Sequence, residues 1–546
     1  MPEPEPELQP ELQPELRHEG VTGRTRPRRA TQRRNLTTNY LTVVTLVLVG
    51  FVTTPILTHQ LGILRYGVWA LIGSLIPFLE LLELGFANAT VAFVSRHLEL
   101  EDDAAVGATL NTSFLCLSVL GIVALASVTV FTIYLPDIIP SIPPSLVGQA
   151  QFLLLLLAFD MALSIPMDTF GGTLTALQRF DLLNYSLIAV TLCQAAGWVI
   201  VLYLHGGLVA LGIVTVAVSL VGQFTRVYMV HRLLPWFRLS LRRFDRNVVK
   251  AFTSATGWYS LAQISQAVLD LSDVLIVGAA AGVRAAAIYA VAQRLAVLPQ
   301  RVVNPRLVLL FSKAGQLAAR DNRAGLRDST DDAVRFVQCL SVPAAIVLGF
   351  LAGPALEVWV GPLYREAASV IGLLCLAAVV QAWAQALSLA LSGAGRPALP
   401  SVLYGVEALI HVGLGFVLAS RYGALGMAEA ALIGVVLIEG MFMLPLVYRQ
   451  LEDSVVRRAL RSVRILGLPA VVTGGLAWFV GRGGGPLYAF TDMHNRVVGL
   501  LGVAVAGAAL TAVFFALLLV SLPRGERRVL LDRMQGSFGR LRARLR

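Results

Sequence analysis

Gln263, Gln266, Asp270 and Asp273 recur at steps of three, four and three inside an otherwise apolar run. On a helix that rhythm holds all four on one face. Beyond them, Arg294 and Arg301 stand seven residues apart in a second apolar run, again on one helical face. If the chain reverses near Gly282, Asp270 and Arg294 each lie twelve residues from the turn, at equal depth, and are expected to pair. Arg301 then falls level with Gln263, which carries no charge. Its planar fork is therefore the cation expected to meet an anionic ligand. These six residues form the candidate substrate-binding set.

Further ionisable groups interrupt apolar stretches elsewhere. Glu80 and Glu83 lie at the depth of Gln300 and Val303 and are expected to face Arg301, as cavity or coupling carboxylates. Asp160 breaks the run QFLLLLLAFDMAL. Gln381 with Gln385, and Glu407 with His411, are pairs four apart, and the plainer reading of both is hydrogen bonding between helices. Polar groups at such depth are a functional hypothesis by default, although many of them only tie helices together.

The elements that must position these residues follow from composition. Of 546 residues, 56% are hydrophobic and 14% charged, with a mean hydropathy of +0.72. A soluble domain carries roughly 25% charged residues, so this chain expects lipid around it. Apolar stretches long enough to cross the hydrocarbon layer recur throughout, and without water at that depth they must be helices. The expected fold is all-α and integral to the membrane. About fourteen spans are expected near 37–58, 66–85, 108–134, 148–171, 182–204, 207–229, 251–280, 285–311, 335–359, 366–392, 401–419, 424–447, 465–481 and 498–522.

The total is even, so both tails share one side. Basic residues concentrate in the tails and in the loops after even-numbered spans, which makes that side cytoplasmic. The formal charge of +11 thus records orientation, and no nucleic-acid partner is expected. The Pro-Glu-Leu-Gln stretch at 1–35, ending in a basic run, reads as a disordered tail. The basic linker at 230–250 is expected to lie against anionic headgroups. In the basic tail at 523–546, Leu530, Met534, Phe538, Leu541 and Leu545 form an apolar stripe suited to a surface helix. Cys116, Cys193, Cys339 and Cys375 lack any paired spacing and read as small buried hydrophobes.

The chain also repeats itself. LGILRYGVWALIG (61–73) and AGVRAAAIYAVAQ (281–293) align at an offset of about 220 residues, with Gly62 on Gly282, Trp69 on Tyr289 and Ala70 on Ala290. Each repeat then holds six spans, at 36–229 and 251–448, and an even number makes the halves parallel. Residues 464–522 are an appended helix pair.

LGILRYGVWALIG followed by ELGFANATVAFVSRHLE (83–99) resembles the N-terminal signature of the polysaccharide-biosynthesis flippases. These are the O-unit, or Wzx-type, branch of the multidrug/oligosaccharidyl-lipid/polysaccharide exporter superfamily. YAVAQRLAVLPQ (289–300), leading into FSKAGQLAARDNRAGLRD (311–328), and RPALPSVLYGVEALIHVGLGFVLASRYGALGMAEAALI (396–433) are similar to later family segments. The resemblance implies a flippase of the bacterial plasma membrane, with no enzymatic activity and no cofactor or metal. Its substrate would be a polyprenyl-pyrophosphate-linked oligosaccharide carried to the outer leaflet for cell-surface polysaccharide such as lipopolysaccharide. A polymerase or glycosyltransferases would be its partners.

What that task needs can be stated physically. Hydroxyls and pyrophosphate do not enter hydrocarbon unaided, at several kcal/mol for each unpartnered group. Two half-bundles rocking about a cationic, water-filled cavity would lower the barrier while the polyprenyl tail stays in lipid. A lipid II flippase of the peptidoglycan pathway and a cation-coupled multidrug antiporter are the alternatives within the superfamily. The antiporter ranks lower, since its cavity should be acidic or aromatic. An enzyme is disfavoured by the short outward loops, and no GxxxxGK[ST] phosphate loop is present.

Overall fold

The computed structural model describes residues 29–80, 84–240, 244–245, 249, 257–451, 454–482, 485–487 and 496–522. Residues 1–28 of the expected N-terminal tail, much of the basic linker, most of the loop at 483–495 and the apolar stripe from Leu530 to Leu545 lie outside them. Among the described residues every regular element is helical.

Among the described residues, eleven helices are long and apolar enough to cross a membrane. Two of them contain a reversal. Arg29–Glu80 turns at Gly62 (φ 71°, ψ 168°), and Ala398–Gly434 turns at Gly423 (φ 63°, ψ −137°). One further crossing is made of two pieces, Val283–Ala296 and Leu298–Ala319. The described residues therefore make fourteen passes, as two six-helix repeats followed by a helix pair. Gly282 (φ 93°, ψ 170°) repeats the backbone of Gly62, a left-handed conformation that glycine adopts without penalty. The repeat read from the sequence is thus a repeat of backbone geometry.

Prolines set several of the helix contacts. A proline lacks the N–H that would bond the carbonyl four residues earlier, and that carbonyl must find another partner. Pro55 frees the oxygen of Phe51, which accepts from Trp359 Nε1 at 2.8 Å. The Trp359 ring stacks on Phe51, centroids 5.0 Å apart. Pro136 frees Thr132 O, which accepts from Gln151 Nε2 at 3.0 Å. Pro166 frees Ala162 O, and Gly121 packs so closely there that a Cβ would sit 2.5 Å from it. Pro354 does the same for Phe350 O, against which Gly481 docks the appended pair.

Gly62, Gly282, Gly361 and Gly423 turn the chain at the end of the bundle remote from its described termini. At this distal end the two halves share one apolar core, in which Tyr66, Trp69, Leu71 and Ile72 of the first half meet Val277, Val283, Ala287 and Tyr289 of the second. A Cβ on Gly67 would lie 2.2 Å from Val283 O, and one on Gly278 1.8 Å from Leu71 Cδ1. Toward the terminal end each half keeps its own core. Val94, Leu110, Phe170 and Val230 belong to the first, and Val303, Leu307, Val337 and Leu387 to the second. The halves are joined distally and parted at the terminal end. All four cysteines are free thiols.

Candidate functional site

Between the halves lies a cavity of about 1040 Å³. Its second-half wall comes largely from the two-piece eighth span. The break falls at Val297, just before Pro299, so Arg294 ends one piece and Arg301 begins the next. Both side chains are exposed to the cavity, with Gln293, Gln300 and Asn304 beside them. Pro77 on the second span lies two residues from the position that the repeat register gives to Pro299. The second span stays helical through Pro77, so the break at Val297 belongs to the second repeat alone among the described residues.

Asp270 and Arg294 do not pair. No ion pair joins them, although both are described and both line the cavity. Gln293 instead reaches across, its Nε2 donating to the Asp270 carbonyl at 3.1 Å. One residue further on, Arg294 is rotated by the helical pitch toward the first span, where a Cβ on Gly50 would sit 3.6 Å from its Nη1. Equal depth placed the two residues correctly; helix rotation set them on different faces. Among the described residues Arg301 has no carboxylate partner, and its electrostatic neighbour is Arg294. The cavity thus holds two guanidinium groups that make no described ion pair, and the carboxylates of Asp160, Asp270, Asp273 and Glu407 line it as well.

The rest of the seventh-span stripe divides. Asp273 is buried and engaged, accepting from Tyr289 Oη at 2.5 Å and meeting His411 Nε2 at 2.6 Å. His411 is accordingly an interhelical partner, as its spacing with Glu407 suggested. Gln381 likewise bonds Gln300 across helices. Gln263 and Gln266 do not line the cavity, although Gln266 lies beside the Asp270 carboxyl. Asp160 does line it, and its buried Oδ1 has no hydrogen-bond partner. The side chain of Glu80 and all of Glu83 lie outside the described residues.

Sequence reading missed a deep carboxylate. Glu439 is 0% exposed, and neither of its carboxylate oxygens has a hydrogen-bond partner. It sits on a π-helical stretch, Val435–Met443, within electrostatic reach of Glu407 and Asp270. Such stretches are rare and concentrate at functional sites. The signal was available, since Glu439 interrupts VVLIEGMFM as Asp160 interrupts its own apolar run. The first-half wall was missed as well. There Trp69 and Trp198 meet edge to face at 5.5 Å, beside Gln194 and Thr215.

The family model described as polysaccharide biosynthesis protein matches residues 34–311, about half of the chain. The chain belongs to this family. It is 21% identical over 339 residues to the uncharacterized membrane protein EpsK of Bacillus subtilis (strain 168), covering 62% of this chain and 67% of that protein. The lipid II flippase MurJ in an inward closed conformation superposes with a TM-score of 0.67 at 13% identity, over 88% of this chain and 98% of that one. An inward-facing multidrug resistance MATE family transporter of the MOP superfamily gives 0.66 at 14% identity, over 77% and 98%. The fold is therefore that of the MOP superfamily. The chain is a multi-pass membrane protein of the polysaccharide-biosynthesis family, and its structural neighbours are transporters and flippases.

Proposed function

We propose that this protein moves a polyprenyl-pyrophosphate-linked oligosaccharide from the cytoplasmic to the outer leaflet of the bacterial plasma membrane, with both of its termini cytoplasmic. The observation that carries this reading is the pair Arg294 and Arg301, two cations in a membrane cavity without described carboxylate partners. Charge in that position is costly unless a ligand answers it, and a pyrophosphate matches two guanidinium forks. Lipid II carries the same pyrophosphate, so the arginines suit it equally. The match to the polysaccharide-biosynthesis family favours a polysaccharide precursor.

With the termini cytoplasmic, the distal closure and the parted terminal end describe an inward-facing carrier ready to load. Rocking of the halves would break the distal core and close the terminal end. The membrane potential favours outward movement of each negative charge by about 2.3 kcal/mol per 100 mV. Glu407 and Glu439, buried and incompletely partnered, would carry the coupling charge in the second half. Product would pass to a polymerase or to glycosyltransferases acting on the lipid-linked glycan.

The test is export in cells. Arg301→Glu should abolish surface polysaccharide while the protein remains inserted and abundant. Normal export from that variant removes Arg301 from the site, and lost cell-wall growth with intact surface polysaccharide assigns lipid II instead.

A further inference from the structure

The two walls of the cavity differ in a way that orients its cargo. Both cavity arginines belong to the second half. On the first half, the described residues lining the cavity include no arginine or lysine. That wall presents Trp69 and Trp198, with Gln194, Thr215 and Asp160. The arrangement is fixed by hydrogen bonds. Trp198 Nε1 donates to Thr215 Oγ1 at 3.0 Å, and Thr215 in turn donates to Leu211 O at 2.9 Å. Gln194 Nε2 reaches the same hydroxyl at 3.4 Å. Trp69 is held edge to face against Trp198, so the half-buried Trp198 indole is locked by a hydrogen bond and a ring contact. Asp160 adds a carboxylate beside Ser219, with one oxygen that no protein group satisfies.

We infer that this wall is a saccharide subsite, with Trp198, backed by the buried Trp69, packing against the C–H face of a sugar ring and Gln194 and Asp160 bonding its hydroxyls. The inference rests on the reading of the cavity as a site for lipid-linked glycan. A pyranose has an apolar face and a rim of hydroxyls. It needs a rigid aromatic surface for the one and neutral or acidic hydrogen-bonding groups for the other.

Depth supports the same orientation. Trp69 lies seven residues from its turn at Gly62, whereas Arg294 and Arg301 lie twelve and nineteen from the equivalent turn at Gly282. At the helical rise the aromatic pair is therefore ~8 Å nearer the closed distal end than Arg294, and ~18 Å nearer than Arg301. The sugar enters first and lodges at the distal end. The pyrophosphate follows to the arginines, nearer the terminal end where the lipid tail would remain in its leaflet.

Two probes separate this subsite from the arginine site: undecaprenyl pyrophosphate, and the same lipid carrying a single N-acetylhexosamine. Binding of each to the full chain in nanodiscs is measured by titration. The glycosylated lipid should bind about tenfold more tightly than the bare one. Trp198→Ala should erase that gain and leave the affinity for the bare lipid unchanged. Gln194→Ala, a milder change outside the apolar core, should erase part of it. Arg301→Gln should weaken both lipids alike. Equal binding of the two lipids to the unaltered protein overturns the subsite, as does a gain that survives both Trp198→Ala and Gln194→Ala. Failure of both lipids to bind at all overturns the flippase reading itself, and the subsite with it.

Discussion

The two halves share a backbone and differ in their chemistry. Gly62 and Gly282 adopt nearly the same left-handed turn, yet the aromatic residues seven positions beyond them have different tasks. Trp69 lines the cavity against Trp198. Tyr289 is fully buried and donates its hydroxyl to Asp273, which also holds His411. The first half thus meets the cavity with aromatic rings and, among the described residues, a single amide and a single acid. The second meets it with two arginines and with Asp270, Asp273, Glu407 and His411, and Glu439 lies buried behind them. Duplication supplied a frame that can rock, and divergence of the walls gave that frame a direction for its cargo.

That contrast can be broken most severely in the second half. Removing one member of a buried ion pair leaves the other charge unanswered and costs about 3–5 kcal/mol, whereas replacing both is far milder. His411→Leu and Asp273→Leu should each lower the melting temperature of the detergent-solubilised protein sharply. The double variant should recover much of the loss, and a double loss equal to the sum would dismiss the pair. Next in size is the comparison of the equivalent aromatics. Tyr289→Phe removes a hydrogen bond to a charged group and should cost roughly 1.5–3 kcal/mol. Trp69→Phe keeps an aromatic ring in place and should cost less than about 1.5 kcal/mol of stability, its main effect appearing in transport.

The distal seam offers one glycine from each half. An added Cβ at Gly67 meets backbone, Val283 O, which cannot swing aside. Gly67→Ala should therefore destabilise the closed distal end by about 1–3 kcal/mol. At Gly278 the obstacle is the terminal methyl of Leu71, which can rotate, so Gly278→Ala should be the milder change. Cysteine accessibility at the distal end would report both. The smallest expected effect is a coupling near zero. Since Asp270 and Arg294 point apart, the transport losses of Asp270→Asn and Arg294→Gln should be additive, and a strong interaction between them would restore the pair that spacing suggested.

The sequence made the framework legible because membrane physics leaves few choices. Apolar length gave the fourteen passes, and the Gly62–Gly282 register gave the halves. Depth along a helix was legible too, by counting from the turn, and it brought Asp270, Arg294 and Arg301 to one cavity. Azimuth was not. A helix turns by 100° per residue, so one position decides whether Gln293 or Arg294 faces Asp270, and neighbouring helices set that rotation. Contacts between remote spans were equally hidden. Nothing in the spacing tells that Trp198 of span five meets Trp69 of span two, or that Glu439 lies within reach of Glu407. The two-piece eighth span was announced only by Pro299, within a stretch read as continuous.

Translocation itself is the most direct test of a cationic cavity shared by two rocking halves. The full chain would be reconstituted in liposomes with undecaprenyl pyrophosphate carrying a short labelled glycan, and the label reaching the opposite leaflet measured with a membrane-impermeant glycosidase. The predicted result is rapid crossing with the unaltered protein and crossing at the protein-free rate with Arg301→Glu. Equal, rapid crossing by both proteins would contradict it.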